Sequence, residues 1–200
     1  MRSFLIIITG ILISYNVSGQ RRNVEWGTSE NPFMYGEMAI SYGTHLSGKV
    51  GINTIYPNDN ILSVIAFFDT RRDPNAPSDF KQGLIATNPQ QTLYMTGVCL
   101  GKVLYTDHQA IRYTVKGGAS LGMIRTPENY EGNSGLFNSN YTYSHKTQVT
   151  AGLLINPTVE FAIARRFGFS FGMFSNVTFN SLVVGMEGGI LFGRLRNRKA

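Results

Sequence analysis

Residues 148–163 read Gln148-Val149-Thr150-Ala151-Gly152-Leu153-Leu154-Ile155-Asn156-Pro157-Thr158-Val159-Glu160-Phe161-Ala162-Ile163. Every odd position is apolar, and the even positions are mostly small or polar. A helix would scatter the two sets around its circumference, whereas a strand places them on opposite faces. The stretch is therefore predicted as a strand. Pro157 cannot donate to a ladder, and a bulge is expected there.

The same period of two recurs along the chain. Phe167, Phe169, Phe171 and Met173 oppose Gly168, Ser170 and Gly172. Leu182, Val184, Met186, Ile190 and Phe192 oppose Val183, Gly185, Glu187, Gly189 and Leu191. In 110–123, Ile111, Tyr113, Val115, Leu121 and Met123 oppose Arg112, Thr114, Lys116, Gly118, Ser120 and Gly122. Residues 34–44, 49–56 and 61–70 add three more strands, and 92–104 a further one whose phase is ambiguous, for eight in all. The expected connections are 45–48, 57–60, 71–91, 105–109, 125–146, 164–166 and 175–181. Tight turns alternate with the set that contains both long loops, 71–91 and 125–146.

Composition fits this pattern. The chain has 200 residues, 42% hydrophobic but only 15% charged, against roughly 25% charged in soluble domains. No apolar run reaches the roughly 18 residues of a spanning helix. Few charges without a spanning helix suit a barrel whose strands alternate apolar-out and polar-in. The expectation is an all-β, eight-stranded antiparallel up-and-down transmembrane barrel. The single Cys, Cys99, excludes a disulfide scaffold.

The first residues, Met1-Arg2-Ser3 followed by the apolar Phe4–Ile13 and then Ser14 to Gln20, read as a cleavable signal peptide cut after Gly19. The expected organisation is signal peptide 1–19, periplasmic segment 20–32, barrel 33–196 and basic tail 197–200. Basic residues cluster at Arg21-Arg22, Arg71-Arg72, Arg165-Arg166 and from Arg194 onward. The full chain has a formal charge of +6, and for an exported chain phosphate-bearing lipid head groups suit these clusters better than nucleic acid.

Eight strands leave an interior just wide enough for side chains. The inward phase contains Glu37, Asp69, Arg112, Lys116, Glu160 and Glu187, expected as a lumen charge network in which Arg112 and Lys116 reach Glu37 and Glu187. Inward glycines, Gly118 and Gly189 among them, make room for long side chains. Tyr42, Tyr56, Tyr94, Tyr105 and Tyr113 are expected in an aromatic girdle, with Trp26 as an anchor before the first strand.

Chemical signals are weak. His45, His108 and His145 lack metal spacing. Ser144-His145 is the nearest hint of nucleophilic catalysis, but adjacent strand residues face opposite ways. No catalytic, cofactor or metal site is expected. The alternatives are a soluble lipocalin-like ligand-binding barrel, a lipid A-modifying enzyme and a narrow channel.

The segment Arg71-Arg72-Asp73-Pro74-Asn75-Ala76-Pro77-Ser78-Asp79-Phe80, the stretch Phe167-Gly168-Phe169-Ser170-Phe171-Gly172 and the terminal Gly193-Arg194-Leu195-Arg196 resemble the small outer-membrane β-barrel proteins abundant in Bacteroidetes, similar in architecture to the eight-stranded OmpX/OmpA transmembrane type. The resemblance implies an outer-membrane location, contact with lipids including lipopolysaccharide, and no assigned activity. It carries no catalytic residue. One departure is that Phe192 is followed by Gly193 and a basic tail instead of a terminal aromatic. The role expected is structural or surface-interacting, with external partners at loops 71–91 and 125–146.

Overall fold

A computed structural model describes residues 32–82, 88–106, 111–133 and 139–195. The expected signal peptide, the segment 20–31, Trp26, His108 and the tail 197–200 lie outside them. Eight strands follow in chain order: β1 (Phe33–Gly43), β2 (Leu46–Ile55), β3 (Asn60–Arg72), β4 (Gln90–Tyr105), β5 (Ile111–Gly132), β6 (Tyr141–Phe161), β7 (Phe167–Thr178) and β8 (Leu182–Gly193). Each pairs antiparallel with the next, and β8 pairs with β1, so the sheet closes into a barrel without a free edge in its body.

The period-two pattern determines the two faces. Met186 is 75% and Ile40 68% exposed on the outside, while Lys116 and Glu160 are fully buried within. This polarity is inverted relative to a soluble barrel. Closure matters because each unpaired backbone group in lipid costs several kcal/mol. The ambiguous strand is now placed: Leu93, Met95, Cys99 and Val103 of β4 face inward, and Tyr94, Val98, Leu100 and Leu104 outward.

The interior is layered. Phe33, Ile55, Ile61, Val103, Leu191 and Leu195 form an apolar floor at the end that carries the termini. Phe67, Met95, Leu154, Phe174 and Val183 belong to a second apolar layer. Polar residues lie between: Ser63 separates Ile61 from Ile65 on β3, Asn156, Thr158 and Glu160 of β6 separate Leu154 from Ala162 just past its end, and Glu187 separates Val183 from Leu191 on β8. Inward glycine is required where a neighbouring strand's backbone comes close; a Cβ on Gly118 would lie 1.9 Å from the Val98 carbonyl oxygen.

Three expectations are corrected. First, 125–146 is not a long loop. β5 runs to Gly132 and β6 starts at Tyr141, so most of it is a β-hairpin extending past the paired part of its neighbours. Beyond a membrane both faces of a sheet meet water, so the apolar alternation that marks a strand disappears. The hairpin contains a one-residue register shift between Glu128 and Glu131, where Asn129 has a positive φ of 56°. Asn tolerates this left-handed region better than most residues. Loop 71–91 likewise shrinks, because β3 reaches Arg72 and β4 starts at Gln90.

Second, Pro157 causes no bulge. The β6–β7 register is the same on both sides of it, and pairing merely lapses between Ile155↔Ser175 and Thr158↔Gly172. Asn156 Nδ2 donates to the Met173 carbonyl at 2.8 Å in this gap. Third, Tyr105 does not join an outward girdle. It is on the inward phase of β4 and packs against the floor cluster.

Candidate functional site

Among the described residues the lumen holds three ion-paired acids and three bases, as a linked group of four and a separate pair. Lys49 Nζ on β2 lies 2.8 Å from Glu187 Oε1 on β8 and 3.3 Å from Glu37 Oε1 on β1. Lys116 Nζ on β5 lies 3.2 Å from Glu37 Oε2. Arg112 Nε donates to Glu160 Oε2 at 2.6 Å, and its guanidinium lies 4.6 Å from the Tyr35 ring centroid. These six side chains are at most 4% exposed. Within these pairs the signs balance, which matters because an unpaired ion in such a site costs several kcal/mol.

Neutral groups saturate much of the remainder. Tyr35 donates its hydroxyl to Glu160, Ser170 donates to Glu37, and Asn53 Nδ2 donates to Glu37. Asn156 accepts from Lys49 at 3.1 Å and donates to Glu187 at 2.7 Å. Thr114 and Thr158 share a hydrogen bond between their hydroxyls.

The expected residues distribute unevenly. Lys116 does reach Glu37. Arg112 instead takes Glu160, its register partner on the adjacent strand, and Glu187 is held by Lys49. Asp69 is buried but stands apart, and neither of its carboxylate oxygens finds a hydrogen-bond partner. Sequence reasoning missed Lys49. Its signal was the alternation Ser47, Lys49, Gly51, Asn53 against Leu46, Gly48, Val50, Ile52, which puts Lys49 on the inward set.

A second polar assembly crowns the opposite end from the termini. Residues 73–81 fold onto the β5–β6 hairpin. Tyr130 donates its hydroxyl to Asp73 Oδ2 at 2.6 Å. Tyr141 donates to Asp79, and its ring stacks on Phe80 at 6.3 Å. Asn140 donates from Nδ2 to the Asp79 carbonyl, and Lys81 N–H donates to Asn140 Oδ1 at 2.7 Å. Burial, then the Asp73 carboxylate, hold the Tyr130 hydroxyl well above the usual phenol range. Turn residue His45 is buried at the same rim, and burial together with Arg71 pushes its imidazole down to about 4.

The hairpin also leaves backbone unpaired. β7 pairs with β6 only from Gly152 onward, so Tyr141 to Ala151 form an open strand edge. Ser144 and His145 lie on this edge. Ser144 Oγ donates to the Glu128 carbonyl, and His145 packs against Tyr143 at 5.2 Å. Their side chains leave opposite faces of the strand, which gives no nucleophile–base pair.

The architecture is similar to that of the N-terminal β-barrel domain of Pseudomonas aeruginosa OprF, with a TM-score of 0.53 at 11% identity over 81% of this chain and 97% of that chain. Lower scores relate it to Neisserial surface protein A (0.48, 14% identity, 81% and 95% covered) and to Ail, the attachment invasion locus protein of Yersinia pestis (0.49, 10% identity, 82% and 97% covered). No protein-family model matches the sequence, and no curated protein does.

Proposed function

We propose that the chain is an integral outer-membrane barrel protein, of the small Bacteroidetes type its sequence resembles, with a side-chain-filled lumen and a surface-interaction role. The observation that carries the membrane reading is the inverted polarity: large apolar side chains cover the outside, and six ion-paired side chains lie inside. A lipocalin-like barrel needs the reverse, a wettable exterior around an apolar cavity. Barrels of this kind have both termini periplasmic, which puts the β5–β6 hairpin outside the cell.

The interaction reading rests on that hairpin. A strand edge from Tyr141 to Ala151 offers unsatisfied N–H and C=O groups to an extended partner segment. The docked 73–81 segment stiffens the adjoining face, so little ordering remains to be done on binding. Lipopolysaccharide is the expected neighbour of the surrounding wall.

Gel mobility tests the membrane reading. A closed barrel keeps its fold in cold detergent, so unheated and boiled samples should migrate differently. Recovery in the soluble periplasmic fraction with no heat shift overturns it. For the hairpin, replacing 126–146 by a short turn should leave the heat shift intact and abolish adhesion of cells to host or neighbour surfaces; unchanged adhesion overturns the interaction reading.

A further inference from the structure

Two consecutive arginines, Arg71 and Arg72, close β3 and are split by its pleat. Arg71 follows the inward phase, where its Nε donates to Gln91 Oε1 at 2.6 Å. Arg72 follows the outward phase and is exposed. It pairs with Gln90 of β4, and Thr92 on the same strand pairs with Arg125 of β5. Arg125 is also outward and exposed. The two residues therefore flank β4 on one face, roughly 10 Å apart across the sheet.

Among the described residues no carboxylate forms an ion pair with Arg72 or Arg125. The acids at this end are placed elsewhere. Asp73 accepts from Tyr130 and Asp79 from Tyr141. Glu128 continues the inward phase of β5, and Glu131 lies past the register shift. His145, exposed on β6, is held below the usual imidazole range by burial and then by Arg125. Positive charge thus prevails on this outer face.

The apolar wall begins immediately below. Phe68 lies four residues from Arg72 on β3 and Met123 two from Arg125 on β5, both exposed; two residues of strand are about 7 Å. An outer groove of about 1070 Å³ runs there, lined on β3 to β5 by Ala66, Phe68, Tyr94, Thr96, Leu121 and Met123. It continues onto β2, β1, β8 and β7, so it spans seven strands, roughly 30 Å of wall.

We infer that Arg72 and Arg125, with the groove beneath them, bind a phosphorylated, multiply acylated glycolipid of the outer leaflet. The inference rests on the membrane reading above and names one contact of its wall. Guanidinium forks match phosphate oxygens in bidentate geometry. An anion relieves the repulsion between cations that no carboxylate offsets. Gln90 and Thr92, between the arginines, are neutral hydrogen-bonding groups at the level of a sugar. A groove across seven strands has room for more chains than the two of a phospholipid.

Native mass spectrometry of the full chain in detergent reads the site with three probes: bis-phosphorylated lipid A, the same lipid A without its phosphates, and phosphatidylglycerol. The phosphorylated lipid A should be retained several-fold better than either of the others. Arg72→Ser/Arg125→Ser should bring the two lipid A forms to parity, and Arg72→Lys/Arg125→Lys should keep most of the preference. Arg165→Ser/Arg166→Ser at the opposite end should leave it unchanged. Parity in the unsubstituted protein, or equal loss in the opposite-end variant, overturns the proposal. So does phosphatidylglycerol retained as well as phosphorylated lipid A and lost with it in the arginine variant, which assigns the arginines to phospholipid. Ala66→Trp fills the groove and should lower retention of both lipid A forms alike; unchanged retention overturns the groove's part in the site. The gel heat shift is read on every sample. Its retention in the serine variant means that a lost preference reports the site and not the fold, and Arg72→Gln/Arg125→Gln reads the same loss where the serine variant does not fold. Loss of the heat shift in the unsubstituted protein counts against the membrane reading instead.

Discussion

Asn156 Nδ2 donates to the Met173 carbonyl at 2.8 Å, in the one stretch where the β6–β7 ladder lapses beside Pro157. The side-chain amide supplies a donor where the proline has none. The same residue accepts from Lys49 and donates to Glu187. Asn156→Leu should therefore destabilise the barrel by about 2–4 kcal/mol, since it orphans buried charged groups as well as a carbonyl. Urea unfolding in lipid vesicles measures this. A change within error of zero would show that water fills the gap without loss.

Among the described residues, Lys49 is the only cation in contact with both Glu37 and Glu187. Lys49→Met should cost about 3–5 kcal/mol, because it leaves buried carboxylates undercompensated. Adding Glu187→Leu should recover a large part of that loss. A double-mutant cycle on the unfolding midpoint checks the coupling, and additive losses would contradict it.

Tyr130 ties segment 73–81 to the hairpin through Asp73. Its hydroxyl is held above the usual phenol range, so the protonated form is favoured in the docked state. The docking contribution is fully present below the free phenol value of about 10 and fades as pH rises beyond it. Hydrogen exchange of residues 73–81 should therefore stay slow at neutral pH and rise above about pH 10. Tyr130→Phe should exchange faster at neutral pH while the strands of the barrel body keep their protection.

His45 is buried in the turn between β1 and β2, and its imidazole is pushed down to about 4 by burial and then by Arg71. A folded value below the free one, about 6.5, means that stability is complete above 6.5 and is lost as pH falls toward 4. An NMR titration of the ring should show it neutral at pH 5.5. His45→Asn should remove this part of the acid sensitivity, and a midpoint near 6.5 would contradict the buried placement.

Along a single strand, period two states which face each side chain takes. That is why Met38 and Glu37, or Val159 and Glu160, can be sorted from sequence. Which inward ions meet depends on the register between strands, and register carries no mark in composition. Arg112 finds Glu160 because 112 and 160 are register partners, not because either residue's own strand indicates it. The hairpin was hidden for a different reason: Arg125-Thr126-Pro127-Glu128-Asn129 has no apolar face to alternate with, since water covers both sides. Tyr105 misled because the floor layer at that end is apolar, so an inward tyrosine looks like a girdle tyrosine.

Every strand pairing except one joins neighbours in the chain, so each can form from a local hairpin at small entropic cost. The exception is β1 with β8, which brings together residues about as far apart as the described chain allows. Glu37 stands on one side of that seam and Glu187 on the other, and Lys49 touches both. Until the seam shuts, these carboxylates can remain hydrated. Once it shuts, they lose water and gain the lysine in the same event. The lysine thus works as a latch on assembly: an unclosed sheet has no dry place for it, and a closed one cannot reopen without uncovering three ions together.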